Sequence, residues 1–205
     1  MKKIFGLVAL SSIVLMALPA YAEQDIIGEN SGNIEVNGTL GMDNTVEEAE
    51  IVEGTDQWIN VTLPLKTIFY STSPKAGATI TSPDYTITNN SGRPVDIHFK
   101  GIAKDDPDPS AKADYMVELN GFGKANPKII ENGLATPPSS RVLIHTLGNN
   151  NKKLGKDDDL TEETDNTVTF GYVGEVTDAM DDDTITENYI MTLEFEAVSW
   201  PEDTP

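Results

Sequence analysis

The stretch Tyr189-Ile190-Met191-Thr192-Leu193-Glu194-Phe195-Glu196-Ala197 decides the fold. Tyr189, Met191, Leu193, Phe195 and Ala197 fall on one side of an extended chain, and Thr192, Glu194 and Glu196 on the other. A period of two is the mark of a strand with one dry face and one wet face. Working back along the chain, the same pattern recurs. Val168, Phe170 and Tyr172 share a face, as do Tyr115, Val117 and Leu119. Val95, Ile97 and Phe99 oppose Asp96, His98 and Lys100, and Ile59, Val61 and Leu63 share a face after Trp58. Alternation of this kind belongs to antiparallel sheets.

Between the runs stand turn formers: Ser73-Pro74, Ser82-Pro83, Asn89-Asn90-Ser91-Gly92, Asn120-Gly121 and Asn132-Gly133. Prolines at 64, 74, 83, 94, 107, 109, 127, 137 and 138 leave little length for helix. Only Thr45 to Glu53 could form a helical turn or two. Short strands with regular turn signals predict an all-β fold, a single antiparallel β-sandwich with long acidic loops. Three segments are expected outside the core: Lys104–Lys112, Gly148–Asn166 and Thr177–Thr184.

Residues 1–22 read as a signal peptide. Lys2 and Lys3 precede an uncharged run from Ile4 to Leu18, and Ala20-Tyr21-Ala22 supplies the small-x-small cleavage pattern. The apolar run is short for a bilayer span, so the mature protein is expected to be secreted, extracellular or cell-surface associated, with no membrane span. Residues 23–50 have weak patterning and form an N-terminal arm, partly disordered or adding a strand to the sheet. Residues 51–205 make up the sandwich domain.

The chain has 205 residues, with 14 Lys and Arg against 34 Asp and Glu, a net charge of −20. That balance argues against nucleic acid as a partner, since phosphate contacts need clustered cations. Absence of cysteine excludes disulfide scaffolds, thiolate zinc sites and cysteine nucleophiles. The two histidines, His98 and His145, lie in strand-like runs and read as surface residues of a sheet. No Gly-x-Ser-x-Gly elbow occurs, so no enzyme and no catalytic residue is expected. Clusters at Asp105/Asp106/Asp108, Asp157/Asp158/Asp159 and Asp178/Asp181/Asp182/Asp183 offer the hard oxygens calcium uses. None fits an EF-hand: counted from Asp157, Glu162 takes the glycine position and Val168 the bidentate glutamate position. No cofactor is expected, with calcium at these loops left open and no metal ligand named. Trp58 and Trp200 read as core or staple residues.

Two groups of phrases carry a family likeness. One is Ile59-Asn60-Val61-Thr62-Leu63-Pro64-Leu65-Lys66-Thr67-Ile68-Phe69-Tyr70, followed by Ile80 to Ser91 and Pro94 to Ile97. The other is the closing strand Tyr189 to Phe195. Together they resemble the C-terminal domain of WxL-type cell-surface proteins of Gram-positive bacteria. The motifs depart from that pattern: Ile59-Asn60 follows Trp58, and Phe195 stands where the distal motif has a tryptophan. The resemblance implies a β-rich domain attached non-covalently to a cell-wall polymer or to another surface protein. Two rival expectations remain. One is a self-associating subunit of an extracellular fibre or biofilm matrix; the other is a carbohydrate-binding or hydrolytic module with calcium-dependent loops.

Overall fold

The computed structural model describes residues 43–106, 110–156, 165–178 and 185–200, all within one compact unit of the chain. They form an essentially all-β structure in which a curled, half-barrel sheet packs against a second sheet, as expected of a β-sandwich. The strands are β1 (Val61–Thr62), β2 (Tyr70–Ser71), β3 (Thr79–Thr81), β4 (Tyr85–Asn89), β5 (Val95–Lys104), β6 (Tyr115–Asn120), β7 (Lys128–Glu131), β8 (Leu134–Ala135), β9 (Val142–Leu147), β10 (Thr167–Val176) and β11 (Tyr189–Ala197).

The curled sheet runs β1-β4-β10-β6-β7-β8, and β2 pairs with β3, which joins β10. The second sheet has the order β11-β5-β9. All pairings are antiparallel. The ten-residue strand β10 organises the large sheet. Its first half pairs with β4 and its second with β3, while β6 takes the other edge from Gly171 onward. The break between β3 and β4 falls at Ser82-Pro83-Asp84. There the Ser82 hydroxyl replaces a ladder carbonyl, accepting from Tyr172 N–H at 2.8 Å. The β7–β8 hairpin turns through Asn132 and Gly133, at φ 50° and 70°, the double positive φ of a two-residue primed turn.

The alternating apolar faces meet between the sheets. Ile97 and Phe99 of β5, Val117 and Leu119 of β6, Val168, Phe170 and Tyr172 of β10, and Ile144 and Leu147 of β9 form one buried cluster. The inward residues of β11 other than Ala197 are only half buried, because that strand edges its sheet.

Several local expectations are corrected. His98 shares the side of Asp96, but it is 8% exposed, lying in register between Leu143 and Glu194 beside a β-bulge. It is not a surface histidine. The run from Trp58 to Leu63 is not one strand. Asp56–Trp58 is a single 3-10 turn, β1 holds two residues, and Leu63 points to water at 46% exposure; the following Pro64 has no N–H to extend the ladder. Thr45–Glu53 forms turns instead of helix, and residues 43–50 contain no strand. Gly148 and Asn149, at the start of a segment expected outside the core, are buried. Residues 1–42, which include the expected signal peptide and most of the arm, lie outside the described residues. So do Asp108, Asp157 to Asp159 and Asp181 to Asp183.

Candidate functional site

Sequence reasoning named no site residue; the structure gathers dispersed side chains into three clusters. The first is a clasp around Arg93. This residue precedes Pro94 and β5, and β5 pairs with β11 up to Val95↔Ala197, which carries the chain after β11 back to Arg93. The guanidinium carbon lies 4.1 Å from the ring centroid of Trp58 and 4.2 Å from that of Trp200. Nε donates to both Glu53 carboxylate oxygens at 2.9 and 3.1 Å, and Nη2 donates to Oε1 at 2.5 Å. Nη1 donates to the carbonyls of Glu47 and Gly92. Both tryptophans are buried, as expected, and the backbone N–H of Trp200 donates to Glu53 Oε2 at 3.2 Å. A guanidinium sheltered by two indoles and held bidentately is a strong, directional pair. It is a structural lock.

The second cluster lies beside it and is built of amides. Asn89, fully buried, donates to the carbonyls of Arg93 and Gly148 and accepts from Ser91 N–H. Asn149, also fully buried, donates to Glu47 and to the Gly92 carbonyl and accepts from the N–H groups of Asn151 and Lys153. Burial alone would raise the Glu47 pKa. Hydrogen bonds from Asn151, Lys153 and Asn149, with the Lys153 charge, overcome that and hold it below the usual range. The buried amides thus tie the turns at this end of the sandwich together, while Asn150 Oδ1 and the indole nitrogens of Trp58 and Trp200 are buried without a hydrogen-bond partner among the described residues.

The third cluster lies at the mouth between the sheets. Glu187 pairs with Lys104 at 2.7 Å, with side-chain exposures of 3% and 6%. It also accepts from Tyr115 at 2.5 Å, from Tyr189 at 3.1 Å and from Lys112 N–H at 3.2 Å. Burial opposes its ionised form, but the Lys104 and Tyr115 bonds outweigh this and lower its pKa. Burial pushes Tyr115 far up and Tyr189 up to about 12. Neither phenol ionises at neutral pH.

Across this mouth runs a strap, residues 63–69. Thr67 Oγ1 bonds the Tyr172 hydroxyl at 2.7 Å, and Ile68 N–H donates to the Tyr85 hydroxyl at 2.7 Å. The Phe69 ring packs among Tyr115, Tyr172 and Tyr189, with centroids 6.0, 5.9 and 6.4 Å away. Pinned from below, the strap presents apolar side chains to water: Leu65 is 81% and Ile68 59% exposed, flanked by Leu63 and Tyr70 at 46%. Strand alternation gave no signal for this, since the strap has no ladder partner.

His145 Nδ1 accepts from Gly123 N–H at 3.0 Å, and burial, aided by Lys124, lowers its pKa. His98 Nδ1 makes no hydrogen bond. Among the described residues, no group of three or more His, Asp or Glu side chains is placed to hold a metal ion. Asp106 pairs with Lys112. No helix among them is long and apolar enough to cross a membrane. No protein-family model, curated protein or solved structure matches this chain.

Proposed function

We propose that the chain is a secreted, non-enzymatic protein of the bacterial surface, attached non-covalently to a cell-wall polymer or a surface partner, as its resemblance to WxL-type domains implies. The observation that carries this reading is the strap. Four large apolar side chains within eight residues stand in water on a segment fixed by two tyrosine hydroxyls and a packed phenylalanine. Exposed apolar clusters held in place mark contact surfaces. Fixing them beforehand lowers the ordering cost of association. The net charge of −20 supports short-range contact here, because long-range attraction to an anionic envelope is absent.

The test is co-sedimentation of the mature protein with purified walls, and co-purification with extracted surface proteins, for wild type and for Leu65→Asp/Ile68→Asp. Wild type should associate with one of them, and the variant should lose at least tenfold in affinity while keeping its melting temperature. Wild-type protein that associates with neither walls nor any surface protein would end this reading.

A further inference from the structure

The second sheet ends on β11, and two bonds show which backbone groups of that strand face outward. Asp105 N–H donates to the Asn188 carbonyl and Val198 N–H to the Pro94 carbonyl. Alternation along an antiparallel ladder then turns Ile190, Thr192, Glu194 and Glu196 toward β5. The N–H and C=O groups of Tyr189, Met191, Leu193, Phe195 and Ala197 point away from it. Among the described residues, none of these outward groups has a hydrogen-bond partner. The strand has nine residues, so the open edge is roughly 30 Å long.

No other edge among the described residues is like it. β1, β2 and β8 hold two residues each. β9 is faced by the segment after β6, where Lys124 and Ala125 N–H donate to the Ile144 carbonyl and Gly123 N–H to His145 Nδ1. Proteins guard a long edge with lysine, proline or an inserted residue on the edge strand. β11 contains neither lysine nor proline, and the irregularity in its ladder puts the extra residue, Lys100, on β5. Its two charges, Glu194 and Glu196, are already held by Lys100 and Arg141.

The strand also matches itself. Laid antiparallel on a second copy about its middle residue, Leu193, it pairs along its whole length. Leu193 meets Leu193, Met191 meets Phe195 and Tyr189 meets Ala197 on the inner face. Thr192 meets Glu194 and Ile190 meets Glu196 on the outer face. Apolar side chains oppose apolar ones, and no acid faces an acid. Moving the two-fold axis to Glu194 or Phe195 would set Glu194 against itself or against Glu196, which like charge disfavours. Moving it to Thr192 shortens the paired length. About Leu193 the outward groups of both copies coincide, enough for about ten interstrand hydrogen bonds. Met191, Leu193 and Phe195, half buried in one copy, gain cover in the pair.

We propose that two copies of the chain associate edge to edge through β11, antiparallel about Leu193, joining their three-stranded sheets into one. The contact is isologous, so it closes at a dimer and uses up the edge. In this it differs from an open fibre. It does not rest on the surface-attachment reading, and the purified protein alone tests it. A single strand pair lies at the small end of specific interfaces, so the dissociation constant is expected on the order of 10 µM.

Sedimentation equilibrium of the mature protein from about 1 µM to about 1 mM should show monomer passing to dimer and nothing larger. Thr192 is exposed on the outer face. Thr192→Glu sets two like-charge contacts against Glu194 and should weaken the dimer about tenfold. Thr192→Lys sets two opposite-charge contacts and should tighten it, and both variants should melt close to wild type. The chain has no cysteine, so Leu193→Cys brings one thiol to the axis, where paired Cα atoms lie about 5.5 Å apart, within disulfide reach. Mild oxidation should link this variant into a dimer. In Ile190→Cys the two thiols stand about 20 Å apart along the strands and should stay unlinked. Monomer throughout, growth beyond the dimer, a dimer indifferent to both charge substitutions, or linkage at Ile190→Cys in preference to Leu193→Cys overturns the proposal. Association that ignores both charge substitutions and vanishes on removal of residues 23–42 refutes the β11 contact and assigns the joining to the arm.

Discussion

Replacing Glu53 by alanine would leave the Arg93 guanidinium in place without its counter-ion. The Arg93 side chain is 8% exposed and that of Glu53 28%. Three donor contacts from Arg93 Nε and Nη2, and one from the backbone N–H of Trp200, end on this carboxylate. Trp58 and Trp200 cover the guanidinium, so water cannot readily take the place of Glu53. Breaking a buried pair from one side costs about 3–5 kcal/mol. The partial exposure of Glu53 sets the expectation near the lower end, about 3 kcal/mol. At about 2–4 °C per kcal/mol for a domain of this size, the melting temperature should fall by about 6–12 °C at pH 7. Differential scanning calorimetry reads this directly, and Glu53→Ala/Arg93→Met checks the reason. If an orphaned charge is the cost, removing the arginine too should add little further loss in the double-mutant cycle. A fall of less than about 3 °C, as for an ordinary surface pair, or strictly additive losses in the double variant, would refute the clasp.

Asn149→Ala removes two donors and two accepted bonds from a fully buried position; urea unfolding should show a loss of about 2–3 kcal/mol. Gly174→Ala would place a Cβ 2.0 Å from the Met116 carbonyl oxygen, in the second half of β10 where it pairs with β6. The β6–β10 ladder must shift to admit it, and the variant should lose more than about 2 kcal/mol or fail to fold. The lowered pKa of Glu187 makes its stabilisation full above its unfolded value of about 4.3, and lost as pH falls through the lower folded value. Glu187→Gln should accordingly flatten the acid limb of the stability profile between pH 5 and 3, measured by thermal melts; an unchanged limb would show the group contributes nothing there. The lowered pKa of His145 has the same sense: its neutral form is the stabilising one, present above about 6.5 and lost as pH falls below it. His145→Gln should reduce the stability change between pH 7 and 5.

The long, evenly alternating strands were legible because one buried face imposes period two on them. Val95–Phe99, Tyr115–Leu119 and Val168–Tyr172 all place the expected residues inside. The short strands β2, β3, β7 and β8 hold two to four residues each, too few for a period to register. Leu63 follows the alternation in sequence and departs from it in space, because Pro64 ends the ladder. His98 kept the side the pattern gave it but is covered by its cross-strand neighbours. The clasp was not legible, since Glu53, Trp58, Arg93 and Trp200 converge only through the registration of β5 with β11.

The clasp has a mechanical consequence. The described chain approaches Arg93 through Glu53 and Trp58 and returns to it at Trp200, so its two flanks meet at a single side chain. Tension applied across those flanks would load the Glu47 bonds to Asn149 and Lys153 on one side and the guanidinium with its two indoles on the other. Once they parted, β11 would peel from β5 one hydrogen bond at a time, from Ala197 toward Tyr189. Under a pull from one flank alone the clasp carries no such load, and the sheets move as a rigid body.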